Sequence, residues 1–154
     1  MGAVTYSTDE VAGILNQEVI PVQLPYDAKP QSRDYNVKWT PALFVIDDGG
    51  LQHHSSVGFL PPEEFVPFLI LGMGKAYFDK EQLEDAIGQL QRVIDEYPDS
   101  MAAPEAVYLR GVCRYKTTHS VDGLVDAYEL LQAKYPSSEW ARRAEPYRLL
   151  KNVA

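Results

Sequence analysis

Glu96-Tyr97-Pro98-Asp99-Ser100 and Lys134-Tyr135-Pro136-Ser137-Ser138 are nearly the same phrase written twice. Each closes a helical stretch, because proline lacks the N–H that would extend the helix. Upstream of Pro98 stand Gly74, Tyr77, Ala86 and Leu90; upstream of Pro136 stand Gly111, Tyr115, Ala127 (with Tyr128 beside it) and Leu131. The order is kept and the spacings shift only slightly. Small residues at these points let two antiparallel helices approach closely, so each set reads as one helical hairpin. From Leu71 onward the chain is therefore expected to be all helical and duplicated. Gly111 follows Gly74 by 37 residues, and the extra length lies near Ser100–Pro104. A last segment, Glu139–Val153, reads as a capping helix.

This ordered spacing resembles a tetratricopeptide-type repeat, whose usual step is about 34 residues. The resemblance implies that residues 68–154 form an all-α array of about two repeats plus a cap. It also implies a protein or peptide partner held in a concave groove lined by the first helix of each repeat. The residues expected there are Leu71, Lys75 and Phe78 in one repeat and Tyr108, Val112 and Tyr115 in the other. Members of the family that clamp a C-terminal carboxylate use lysine and asparagine at matching positions. Only Lys75 answers, so an apolar or helical segment is the implied ligand. Packing is an equally physical use for Tyr108 and Tyr115, since two repeats and a cap lie near the lower limit for such arrays.

Towards the N-terminus the pattern changes. Ser7 reads as an N-cap, with Glu10 three residues on and Val11, Ile14 and Leu15 on one helical face. Val19–Leu24 reads as a short strand, weakened by Pro21. Residues 27–35 are polar and read as a short helix. Ala42–Ile46 is a continuous apolar strand, Asp47-Asp48-Gly49-Gly50 a tight turn, and Leu51–Phe59 the returning strand. Pro61-Pro62-Glu63-Glu64 opens a helix, with proline in its first turn and carboxylates at the positive end of its dipole. Pro67 interrupts the pattern from Glu63 to Asp79, and a joint between two domains, 1–67 and 68–154, is placed there.

The stretch from Tyr35 to Gly49, with Thr40-Pro41 before the apolar strand and Val57-Gly58-Phe59 after the turn, resembles the second half of a bacterial thioredoxin fold. The resemblance implies a cis-proline loop at Thr40-Pro41 and a partial α/β domain preceding the helical array. In that family a Cys-x-x-Cys lies upstream of the segment matched here by Ala3-Val4-Thr5, and this sequence contains none. Its strand would run between those matching Val19–Leu24 and Ala42–Ile46. Without it, either these strands close on each other or another chain fills the gap, for instance in a homodimer through the open sheet edge. Two readings stay open: a redox-inactive interaction module, or part of a thiol–disulfide oxidoreductase whose Cys-x-x-Cys lies upstream.

Composition narrows the rest. The 154 residues carry a formal charge of −8, of which −6 falls in residues 1–71. That acidity argues against nucleic acid and anionic membranes, both of which require a cationic face. No cofactor or metal is expected: Cys113 stands alone, and His53 and His54, adjacent on a strand, should point to opposite faces of an exposed edge. Asp47 and Asp48 are read as turn residues and Cys113 as a small core residue. The basic terminal face of Arg142, Arg143, Arg148 and Lys151 is read as solvated. The chain opens with no signal-peptide pattern, which points to the cytoplasm if Met1 is its start.

Overall fold

The computed structural model describes residues 1–152, which fold as a mostly helical chain carrying one two-stranded sheet. In order, α1 (Asp9–Gln17) and the short α2 (Gln31–Asp34) precede β1 (Ala42–Ile46) and β2 (Gln52–Val57). Then come α3 (Pro62–Asp79), α4 (Leu83–Glu96), α5 (Ala103–Thr118), α6 (Asp122–Lys134), α7 (Glu139–Ala144) and a closing 3-10 segment, Glu145–Asn152.

The array follows from its sequence. In α4, Ala86, Leu90, Val93 and Ile94 are buried at helical spacing, so one stripe faces the core and the rest meets water. The helix α3 is different: every residue from Phe65 to Gly72 is buried. A helix apolar on all sides needs neighbours on all sides, and α3 has them in α1, both strands, α4 and α5. It runs continuously through Pro67. Successive helices pack as antiparallel pairs, and glycine sets the closeness of the second pair. A Cβ on Gly111 would lie 2.6 Å from the Ala127 methyl and 2.7 Å from the Gly123 carbonyl oxygen.

The strands are antiparallel, with Ala42 opposite Val57 and Val45 opposite His54, but Ile46 stands opposite Gln52. His53 is thus an extra residue in β2, a β-bulge. In the turn, Asp47 Oδ1 accepts from the backbone N–H groups of Gly49 and Leu51, and Gly50 takes φ +82°. Gly58 N–H donates to the Pro41 carbonyl at 2.8 Å, which fixes the alternation. Ala42 and Phe44 turn their backbone groups away from β2, and among the described residues no neighbouring strand meets that edge.

Four sequence expectations are corrected. Val19–Leu24 forms no strand and does not close on β1: Pro21 lacks a donor, and Ile20, Val22 and Leu24 are 91%, 74% and 50% exposed. The N-cap of α1 is Thr8, whose side chain accepts from Val11 N–H, while Ser7 bonds back to the carbonyls of Ala3 and Val4. The capping helix is shorter than expected, ending at Ala144 in a 3-10 segment where Pro146 supplies no α-helical donor; its expected end, Val153, lies outside the described residues. Lastly, His53 and His54 do not occupy opposite faces of an exposed edge. The bulge re-aims His53, so both histidines reach α3.

Candidate interaction site

The hairpin lies on α3 at Gly72. A Cβ there would sit 2.6 Å from Val45 Cγ2 and 3.2 Å from His54 Cβ, so the cross-strand pair Val45–His54 straddles a bare stretch of helix backbone. A cavity of about 170 Å³ opens between β2, α3 and the N-terminus of α5. Leu60, Phe68, Leu71 and Met101 supply its apolar surface; His54, Ser55, Ser56, Glu64 and Glu105 supply its polar groups.

These polar groups are tied together. The His54 ring lies against Phe68, centroids 4.5 Å apart. Lys75 Nζ is 3.2 Å from His54 Nδ1 and 2.8 Å from Glu105 Oε1. Lysine can only donate, so Nδ1 accepts and the ring proton sits on Nε2. Burial, and then the charge of Lys75, push the His54 pKa down to about 4, so the ring is neutral near pH 7. Glu64 Oε2 accepts from Met101 N–H at 2.9 Å, tying the first turn of α3 to the loop before α5. One carboxylate oxygen of each of Glu64 and Glu105 has no protein partner among the described residues.

A second cluster lies at the far end of the hairpin. The His53 side chain is fully buried, with Nδ1 2.6 Å from Asp79 Oδ2 at the end of α3. Its Nε2 lies 3.3 Å from Asp47 Oδ2 without a well-aligned hydrogen bond. Lys80 adds ion pairs to Asp47 and Asp48. The Leu51 N–H, helped by His53 and Lys80, holds the Asp47 carboxyl down at about 2. This arrangement staples the turn to α3. Among the described residues no group of three or more His, Cys, Asp or Glu side chains is placed to hold a metal ion.

The six residues expected to line a groove are not gathered in one place. Leu71 lines the cavity described above, and Lys75 bonds to two of its lining residues, His54 and Glu105. Phe78 lies beneath Lys116, whose Nζ is 5.0 Å from the ring centroid. Tyr108 packs on Trp140 and Tyr147, and its hydroxyl is 2.8 Å from that of Tyr147. Val112 is half-buried and Tyr115 is 40% exposed. The Thr40–Pro41 peptide bond is cis and follows Trp39, which is 71% exposed. Cys113 is a buried free thiol, its pKa pushed up to about 11 by burial, and so is a poor nucleophile. Of the basic terminal face, Arg143, Arg148 and Lys151 pair with Glu139, Glu145 and Glu129.

The α3–α4 hairpin, with its closing Tyr97-Pro98 step, is the part of the chain that a family model matches. Residues 69–100 match the tetratricopeptide repeat. No curated protein and no solved structure matches the chain significantly. The matched repeat supplies Leu71 to the cavity and Lys75 to its lining residues His54 and Glu105, and it ends at Ser100, one residue before Met101. Sequence reading missed His54, Glu64 and Glu105 as site residues, because they come from three elements, β2, α3 and α5, that meet only in the folded chain, β2 reaching α3 at Gly72. The signal available was Gly72 itself, small and in an otherwise bulky apolar run, marking a close approach.

Proposed function

We propose that this chain is a non-catalytic protein-interaction module, in which a thioredoxin-like remnant (1–67) is joined to tetratricopeptide-like repeats (68–154) and binds a protein or peptide. Tetratricopeptide repeats generally mediate contacts between proteins, and the match at 69–100 carries the reading. The hairpin that runs through Pro61-Pro62 into a helix packed against it supports the remnant. Burial of Cys113, with its raised pKa, argues against thiol chemistry by this chain.

A selection from a random 12-residue peptide display library on the full chain tests the reading. Enrichment of a peptide family that binds in solution is the expected result. No enrichment above an unrelated protein of equal acidity would overturn it. In an insulin-reduction assay with dithiothreitol the chain should add nothing; turnover lost in Cys113→Ser would refute the non-catalytic part.

A second reading rests on the unpaired edge of β1. The outward backbone groups of Ala42 and Phe44 leave room for a strand, either from a second copy in a homodimer or from an upstream segment bearing a Cys-x-x-Cys. Sedimentation of the chain, together with the intact mass of the protein from its source cells, separates these two. A dimer of mass-matched chains favours the first, and a mass well above 17.3 kDa the second.

A further inference from the structure

Resting on that interaction reading, we propose that the cavity between β2 and α5 takes the side chain of an arginine or lysine from an extended peptide. Size is the first argument. At about 170 Å³ the cavity is smaller than the 300–1,000 Å³ typical of small-molecule sites, and on the scale of one side chain.

The second argument is the distribution of chemistry within it. Phe68, Leu71 and Met101 offer an apolar surface to a hydrocarbon stem. Among the described residues, Glu64 and Glu105 each keep one oxygen without a protein partner, while Lys75 is already committed to Glu105 and to His54 Nδ1. With His54 neutral, the formal balance at the site is two carboxylates against one ammonium. An anionic side chain would be repelled. A purely apolar one would strip water from two carboxylates and return nothing. A cationic head on an apolar stem satisfies both surfaces, and charge-assisted hydrogen bonds to carboxylate are the strong kind. The chain's net charge of −8 steers such a partner in.

The third argument concerns the peptide's main chain. The pairing of His54 with Val45 and Ser56 with Leu43 sends the N–H and C=O of Ser55 away from β1. Ser55 lies on the rim of the cavity, so an extended segment crossing the rim finds a donor and an acceptor where its side chain enters. Main-chain pairing at a sheet edge with a pocket for one side chain is a recurring way to read a peptide.

The test uses the full chain and terminally blocked hexapeptides that differ only at one central position, read by fluorescence anisotropy. Arginine at that position is expected to bind about tenfold tighter than citrulline, and glutamate not measurably. Glu64→Gln keeps an acceptor for Met101 N–H, and Glu105→Gln keeps one for Lys75. Each should weaken the arginine peptide about tenfold and leave the citrulline peptide unchanged, with circular dichroism checking the fold. Equal binding of arginine and citrulline peptides, or indifference to both substitutions, overturns the proposal. Library-selected peptides that bind without a basic residue, and bind Glu64→Gln equally well, overturn it while leaving the interaction reading standing. Failure of every peptide overturns both.

Discussion

The two regions on either side of Pro61 solve the problem of burying apolar surface differently. From Pro62 onward each helix packs on its sequence neighbours, so local pattern and tertiary contact agree. Before Pro61 the chain lacks a core of its own: β1 and β2 rest on α3, α1 buries Val11 and Ile14, and Ile20, Val22 and Trp39 stay largely exposed. The N-terminal region leans on the array, and its buried residues Val11, Ile14 and Leu60 join the array's core. One helix, α3, is shared, so its two faces decide what fails together and what fails alone.

The largest expected effect breaks both regions at once. Leu90 is fully buried in α4, where its Cδ2 and Cγ press on the bare backbone at Gly74. Leu90→Ala removes that contact and opens a cavity, costing about 3 kcal/mol. In urea, hairpin and array signals should be lost at one lowered midpoint. Two separated transitions would mean that the hairpin does not depend on the array.

Gly72→Ala should part the regions instead. Its methyl would collide with Val45, a stiff β-branched side chain, at a cost of about 2 kcal/mol. Hydrogen exchange should speed up across Ala42–Ile46 and Gln52–Val57 while α5 and α6 keep their protection. Adding Val45→Ala should restore part of the loss, because it removes the nearest atom.

That asymmetry explains what could be read from sequence. The start of α3 at Pro61-Pro62, the Tyr-Pro phrases that close α4 and α6, and the turn at Asp47–Gly50 were legible because each is fixed within a few residues by proline or glycine. The missed strand at Val19–Leu24 and the bulge at His53 were not legible in the same way. A strand exists only if another edge receives it; Ile20 and Val22 carry a strand's pattern, but Pro21 lacks a donor and the segment does not pair with the open edge of β1. A bulge is decided by the register against Ile46, and alternation alone puts His53 on the wrong face. The cavity failed for the same reason: His54, Glu64 and Glu105 share no local pattern.

Acid should loosen the dependent region selectively. His54 is held at about 4 in the folded chain against 6.5 ordinarily. The unfolded chain therefore takes up this proton first, and stability falls as pH drops between those values. The contribution is complete above pH 6.5 and lost by pH 4, on the order of 3 kcal/mol. Asp47 acts in a separate window: its pKa of about 2 lies below the ordinary 3.8, so its support persists above pH 3.8 and fades only towards pH 2. Urea midpoints of the hairpin signal measured from pH 7 to 4 should slope downwards, and His54→Gln should flatten that slope. An unchanged slope in His54→Gln would assign the effect elsewhere.

The smallest effect concerns how α1 is held to the array. Arg92 on α4 reaches both carboxylate oxygens of Glu18, at 2.9 and 2.8 Å, and Tyr97 donates to Glu10 at 2.7 Å. These contacts look like the attachment, yet the Arg92 and Glu18 side chains remain about 30% exposed. Water competes for such pairs, which are worth roughly 0–1 kcal/mol. Beneath them Val11 and Ile14 are 0% and 5% exposed, and truncating Ile14 to alanine should cost about 2 kcal/mol. Glu18→Gln should therefore shift the urea midpoint by a few tenths of a kcal/mol at most, and less at 0.5 M salt. A loss from Glu18→Gln equal to that from Ile14→Ala would mean that α1 is held by charge rather than by burial, the reverse of what its buried face implies.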